Sequence, residues 1–284
     1  IKIDGIKIAQ DVKDRVRKAV EELKKQGINP CLATILVGDN QASATYVKNK
    51  HKACEEVGII TKDFKLASDI TQSELNKIID ELNKDRSVHG ILVQLPLPNQ
   101  LDEFVITSRI SPLKDVDGLT PHNAGLLAMK KAALVACTPL GVMEMFDYHN
   151  IDLKGKNIVL INRSNLVGKP LYHLLLARDA TVITCHSKTK NINELCQLAD
   201  IIITAVGDRS KFTLTPDMIK KDAIVIDVAI SKDKERLVGD ADYDQIIQKA
   251  SYATPVPGGV GPMTVAMLLK NTITAASLSS QIER

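Results

Sequence analysis

Apolar residues recur at a spacing near 3.6 over residues 9–23, which predicts an amphipathic helix, and Gly27 and Pro30 end it. A short apolar run, 32–37, follows as a strand. Beyond Gly38 the pattern predicts a helix over 43–57 and a short strand over 62–66. Thr71-Gln72-Ser73-Glu74 then has the form of a capping box opening a helix that reaches Leu82. A strand over 90–94 breaks at Pro96 and Pro98. The second half repeats the rhythm, with strands at 157–161, 181–184, 201–205 and 224–228 and helical stretches at 171–178, 192–198 and 216–220. Strands separated by helices imply parallel sheets covered on both faces, hence an α/β fold in two domains. The change of domain falls near Cys137-Thr138-Pro139, where a helix to about Asn150 leads into the second sheet. A last helix, from Met263 to about Leu278, is able to close either domain.

Composition narrows the function classes. The 284 residues, 44% hydrophobic and 25% charged, are enough for two cores and exclude a disordered or fibrous chain. There is no Trp, aromatic content is 3%, and the net charge is only +3, so nothing offers a base-stacking surface and nucleic-acid binding is not expected. Cys31, Cys54, Cys137, Cys185 and Cys196 form no Cys-x-x-Cys pair and sit mostly in apolar stretches; they read as free thiols of a reducing compartment, and a cytoplasmic location is expected. No apolar run approaches the roughly 18 residues of a membrane span, and the first 30 residues read as strand plus helix rather than signal peptide. None of the six His has a metal-ligand companion at helical spacing, so no metal is expected.

Residues 157–176 form a strand, the loop Asn162-Arg163-Ser164-Asn165-Leu166-Val167-Gly168, and a helix that Pro170 is suited to start because the first turn needs no amide donor there. Such a unit sets a pyrophosphate on a helix N-terminus. It lacks a full Gly-x-Gly-x-x-Gly, so a plain structural turn stays open. An NAD site places an acid about 20 residues on to hold the ribose 2′-hydroxyl, whereas a 2′-phosphate needs donors and positive charge. The next strand here ends in Cys185-His186-Ser187-Lys188, with no acid until Glu194. That favours NADP over NAD, with Arg163, Ser164 and Ser187 as donors; the alternative is that Arg163 is a solvated loop charge.

Tyr46 and Lys50 stand at i and i+4 in a predicted helix just after a strand, on one face near the C-terminal edge of the first sheet. A lysine among Lys48, Lys50 and Lys52 is more often a solvated charge than a catalyst. The wider context decides more. The run Ala42-Ser43-Ala44-Thr45-Tyr46-Val47-Lys48-Asn49-Lys50, then Val88-His89-Gly90-Ile91-Leu92-Val93-Gln94-Leu95-Pro96-Leu97-Pro98, then Lys114-Asp115-Val116-Asp117-Gly118, resembles the bifunctional methylenetetrahydrofolate dehydrogenase/methenyltetrahydrofolate cyclohydrolase family. So do Cys137-Thr138-Pro139, Val167-Gly168-Lys169-Pro170, Thr184-Cys185-His186-Ser187 and the stretch from Pro255 to Thr264. These runs follow the family's order over nearly the whole chain.

The resemblance implies a folate-binding catalytic domain, 1–138 plus 263–284, a Rossmann-like NADP-binding domain, 139–262, and a cleft between them. It implies tetrahydrofolate derivatives as substrates and a homodimer. Lys50 then corresponds to the catalytic lysine, Tyr46 to the ring packed on the pterin, Gln94 to the partner orienting Lys50, and Asp117 to the acceptor for pterin nitrogens. Pro257, Gly258, Gly259 and Gly261 correspond to the folate-side loop, and Val167, Gly168, His186, Thr204, Ala205, Val206 and Ile230 join Arg163, Ser164 and Ser187 at the cofactor. Without the surrounding motif, Asp117 reads as a turn residue, and Gly258-Gly259-Val260-Gly261 as a connection ahead of a helix started at Pro262. Three positions depart from the family pattern: Asn162 where Gly is usual, Ala229 in Asp227-Val228-Ala229, and Asp208-Arg209-Ser210-Lys211 in place of a Gly-Lys-Pro-like turn. Asn is able to take a positive φ but narrows the space for a phosphate, so the expected consequence is on cofactor affinity rather than fold. The expected activity is oxidation of methylenetetrahydrofolate with NADP and hydrolysis of the product to the formyl form. A monofunctional dehydrogenase and a binding protein without turnover are the alternatives.

Overall fold

The computed structural model describes residues 1–233 and 236–282 and divides into two compact units, one of Asp11–Cys137 with Val265–Arg284 and one of Ile1–Gln10 with Thr138–Thr264. Helix α1 (Gly5–Lys25) starts four residues earlier than its apolar spacing predicts because the Asp4 Oδ1 accepts the amides of Ile6 and Lys7. It is followed by β1 (Cys31–Val37), α2 (Gln41–Val57), β2 (Ile60–Leu66), α3 (Gln72–Lys84) and β3 (Gly90–Val93). The strands run parallel in the order β2-β1-β3, with Ile35 registered between Phe64 and Val93. Every side chain of β1 is buried, as a central strand covered on both faces requires. Ile35, Ile79, Ile91 and Ile106 lie at the centre of this unit's core. Each is wholly out of water, and burying a side chain of this kind is worth about 1.5–3 kcal/mol.

The capping box at Thr71 is formed as the sequence predicts: Thr71 Oγ1 accepts the Glu74 amide and Glu74 Oε2 accepts the Thr71 amide. Two further helices, α4 (Glu103–Arg109) and α5 (Pro121–Ala128), are too short and too weakly periodic for the apolar pattern to announce them. Their caps do: Asp102 accepts the amides of Phe104 and Val105, and Thr120 precedes Pro121 and accepts from the Asn123 amide.

The second unit runs through α6 (Cys137–Tyr148), β4 (Asn157–Ile161), α7 (Gly168–Leu176), β5 (Thr181–Cys185), α8 (Ile192–Leu198), β6 (Ile201–Thr204) and β7 (Ile224–Asp227). After these come the short antiparallel pair β8 (Ser231–Asp233) and β9 (Arg236–Val238), then α9 (Tyr243–Lys249), β10 (Tyr252–Ala253) and the start of the long α10 (Val260–Ile282), which from Val265 onward belongs to the first unit. Its main sheet is parallel, in the order β10-β7-β6-β4-β5. The helical stretch expected over 216–220 is a single 3-10 turn, Pro216–Met218. The first residues of the chain belong here because Lys2 bridges Ala253 and the Gly5 amide donates to the Gly258 carbonyl at 3.0 Å. All five cysteines are buried and unbridged. Among the described residues no helix is long and apolar enough to cross a membrane.

Candidate active site

In the first unit the parallel sheet brings loops to the C-terminal ends of its strands, where α/β sites form. Helix α2 begins there, its N-cap Asn40 accepting the Ser43 amide at 3.0 Å. It carries Tyr46, about half exposed, and Lys50 one turn later. Gln94 directly follows β3 and is fixed to the central strand by its amide, which donates to the Ile35 carbonyl at 2.9 Å. Its side chain has a defined orientation: Nε2 donates to the Leu95 carbonyl at 2.8 Å, which leaves Oε1 to accept from Lys50 Nζ at 3.0 Å. The structure therefore brings Lys50 and Gln94 together from positions 44 apart in sequence.

Asp117 stands in the turn Asp115-Val116-Asp117-Gly118, closed by the Gly118 amide donating to the Asp115 carbonyl at 3.1 Å. The turn role that sequence alone assigns to Asp117 belongs to Asp115. That carboxylate is buried and accepts from the amides of Leu119 and Thr120 and from Asn123 Nδ2. Asp117 is left over from the turn, and burial raises its carboxyl pKa while the Lys50 charge opposes the rise. The Cys137 thiol donates to Asp117 Oδ1 at 3.5 Å, and burial pushes that thiol well above its usual range. Gly118 has φ +63, and a Cβ there would lie 2.5 Å from the Ala136 nitrogen, so the turn excludes any side chain at this position.

Sequence reasoning missed what fastens this turn. Asn271, buried on α10, donates through Nδ2 to the carbonyls of Val116 at 2.7 Å and Val135 at 2.8 Å. An Asn following the apolar run Val265–Leu269 within a helix was the available signal, since a buried carboxamide must find partners.

In the second unit, the C-terminal ends of β4 and β5 lie side by side, with Ile161 registered on Cys185. Arg163 and Ser187 each follow their strand by two residues and are exposed on that edge, and neither of their loops, 162–168 and 186–191, carries an acid in its sequence. This donor set suits a 2′-phosphate. His186 is held in its turn, its amide donating to Thr189 Oγ1 and its Nδ1 accepting from the Lys188 amide. Ser164 Oγ accepts the Val167 amide at 3.1 Å, which leaves its hydroxyl hydrogen to donate. Thr204 differs from expectation: it is fully buried and its hydroxyl donates to Asp240 at 2.6 Å, so its side chain is not offered to a ligand. The adjoining Ala205 and Val206 are partly buried. Asp240 also accepts the Val206 and Gly207 amides. Ile230 lines a cavity of about 260 Å³ with Ile6, Pro257, Gly258, Gly259 and Gly261.

One expectation for the loop after β4 is corrected. Helix α7 begins at Gly168, with Pro170 as its third residue, and Val167 offers no side-chain cap. Asn162 is not among the residues with positive φ; its side chain instead turns inward and makes hydrogen bonds taken up below. Helix α10 likewise begins at Val260, ahead of Pro262.

A family model for the tetrahydrofolate dehydrogenase/cyclohydrolase catalytic domain matches residues 3–117, and one for the family's NAD(P)-binding domain matches residues 136–280. The chain belongs to the tetrahydrofolate dehydrogenase/cyclohydrolase family. It is 83% identical over 281 residues to a bifunctional protein FolD of Nitrosopumilus maritimus, covering 99% of this chain and 98% of the relative. A second bifunctional protein FolD, from Cenarchaeum symbiosum, is 64% identical over 99% of this chain and all of its own length. Among solved structures, the bifunctional FolD of Campylobacter jejuni is 47% identical with a TM-score of 0.95, covering 98% of this chain and 99% of that one. The Trypanosoma brucei methylenetetrahydrofolate dehydrogenase-cyclohydrolase, solved with NADP and an inhibitor, is 37% identical with a TM-score of 0.93, covering 99% and 98%. Membership in the family explains why a lysine-bearing unit and a parallel nucleotide-type sheet occur in one chain.

Proposed function

We propose that this chain oxidises 5,10-methylenetetrahydrofolate to the 5,10-methenyl form with NADP and hydrolyses that product to 10-formyltetrahydrofolate. The observation that carries the hydrolytic half is Lys50 Nζ donating to the oriented Gln94 Oε1 at 3.0 Å. Hydride loss from the methylene bridge leaves an amidinium cation shared by two nitrogens, so that step needs alignment and no base. NADP, when bound, supplies the hydride acceptor. Hydrolysis differs: water must add to the methenyl carbon and protons must move, which is work for a titratable amine at hydrogen-bonding distance. Lys50 is that group in our reading, Gln94 Oε1 aims it, and Tyr46 stacks on the pterin.

Asp117 accepts from the pterin's 2-amino edge by charge-assisted hydrogen bonds, which fixes the ring face presented for reaction. For the cofactor, Arg163, Ser164 and Ser187 hold the 2′-phosphate, and His186, Val167, Gly168, Ala205, Val206 and Ile230 line its path. The glycine loop from Pro257 to Gly261 approaches the folate. We assign the catalytic role to the unit of residues 11–137 with the C-terminal helix, and propose a cytoplasmic homodimer, which sedimentation and fractionation would test.

Mixing purified protein with methylenetetrahydrofolate and NADP or NAD, and following methenyl absorbance as it forms and decays, tests the whole reading. Formation followed by accelerated decay is expected with NADP. Formation with only uncatalysed decay means a monofunctional dehydrogenase, and neither signal means a binding protein.

A further inference from the structure

The loop after β4 departs from an open nucleotide-binding turn because of one side chain. Asn162 Oδ1 accepts two amides, from Ser164 at 2.8 Å and from Gly168 at 3.0 Å, while its Nδ2 donates to the Ala205 carbonyl at 2.7 Å. Gly168 is the first residue of α7, and its amide is one of the donors that a helix start leaves without an internal partner. The neighbouring amides are committed as well: Val167 donates to Ser164 Oγ and Lys169 to the Ser164 carbonyl, and Pro170 has none. On the adjacent strand end, Val206 and Gly207 donate to the Asp240 carboxylate. The helix start is also pressed onto the loop, since a Cβ on Gly168 would lie 2.4 Å from the Asn162 carbonyl oxygen. A helix N-terminus ordinarily presents such amides to a phosphate; here a neutral carboxamide oxygen stands in the anion's place.

We propose that Asn162 is an affinity-setting positioning residue, which withholds the Ser164 and Gly168 amides from the dinucleotide's pyrophosphate, so that side-chain recognition of the 2′-phosphate carries a larger share of the binding. This rests on the reading of the β4 loop as the cofactor site. The pyrophosphate is common to NAD and NADP, so its contribution is weakened for both, and the 2′-phosphate carries a larger share of the total. Asn162→Gly returns two amides to the site. Asn162→Ala removes the same carboxamide with less backbone freedom.

The test is calorimetric titration of the full chain with four probes: NADP, NAD, ADP, which has a diphosphate and no 2′-phosphate, and 2′-AMP, which has the reverse. In both variants NADP, NAD and ADP are expected to bind more tightly by a common factor of about five or more, as for the release of one ordinary hydrogen bond, with 2′-AMP unchanged. The Michaelis constants for NADP and NAD fall together and their ratio holds. Unchanged or weaker ADP binding, with 2′-AMP binding retained, overturns the proposal. Loss of 2′-AMP binding in both variants also overturns it, because Asn162 would then be a strut for the whole pocket. Failure of the cofactor reading itself looks different: the unmodified protein would bind neither NADP nor 2′-AMP.

Discussion

Lys50 and Gln94 form a pair in which one partner is oriented before the other arrives, because the Leu95 carbonyl fixes which end of the carboxamide faces the amine. Replacing Lys50 by Met keeps the length and most of the apolar stem while removing the proton carrier. In Lys50→Met, hydrolysis of supplied methenyl substrate should fall by at least about two orders of magnitude, the usual contribution of general acid–base catalysis, while NADP still binds. Hydrolysis at the unmodified rate would remove Lys50 from the mechanism. For Arg163, exposed two residues beyond β4, Arg163→Ala should raise the Michaelis constant for NADP by roughly tenfold or more, the loss of a hydrogen bond to a charged group, and leave that for NAD nearly unchanged. Equal effects on the two cofactors would deny it the 2′-phosphate.

At the scale of elements, α10 joins residues that the sequence keeps far apart. Asn271 ties the carbonyls of Val116 and Val135 across separations of 155 and 136 residues and so holds the turn that presents Asp117. Asn271→Ala takes the amide donor from the buried Val135 carbonyl and leaves that of Val116 with the weak Cys137 thiol donor, and denaturant unfolding should show a loss of about 2–3 kcal/mol. The same variant should raise the folate Michaelis constant while the NADP constant stays within experimental scatter. A loss of stability with an unaltered folate constant would reduce Asn271 to a packing role. The end of β6 is governed in the same manner, by Asn162 taking the carbonyl of residue 205 and Asp240 taking the amides of residues 206 and 207.

For the molecule as a whole, one group that couples stability to pH near neutrality is Asp227, at the end of β7. It is almost fully buried, its oxygens accept the Ala229 and Ala241 amides, and burial raises its pKa to about 7. A carboxyl whose folded pKa lies above its unfolded value holds more protons when folded between the two. Its contribution to stability is full below the unfolded pKa and is lost as pH rises through about 7. Between pH 5 and pH 8 the unmodified protein should therefore lose about 2–3 kcal/mol of stability relative to Asp227→Asn, which cannot ionise, so the gap between the two changes by that amount whatever its value at pH 5. Denaturant midpoints measured across that range check it, and a gap independent of pH would mean that Asp227 titrates normally.

The sequence by itself determined the alternation of parallel strands and helices, because buried β-branched runs and capped amphipathic helices are local patterns that survive into the fold. It also determined the family, through motif runs spread along the chain, and it favoured NADP over NAD, through the missing acid after β5. What the tertiary structure decided depends on partners distant in sequence. It brought Lys50 onto Gln94, put the Asp115 carboxylate rather than that of Asp117 on the Leu119 and Thr120 amides, and buried the Thr204 hydroxyl against Asp240. It also turned Asn162 from a residue that merely narrows a loop into one that closes a helix start. A side chain's propensity is written locally, but its hydrogen-bond partner is whichever polar group the packed chain leaves unsatisfied nearby, and only the folded backbone settles that.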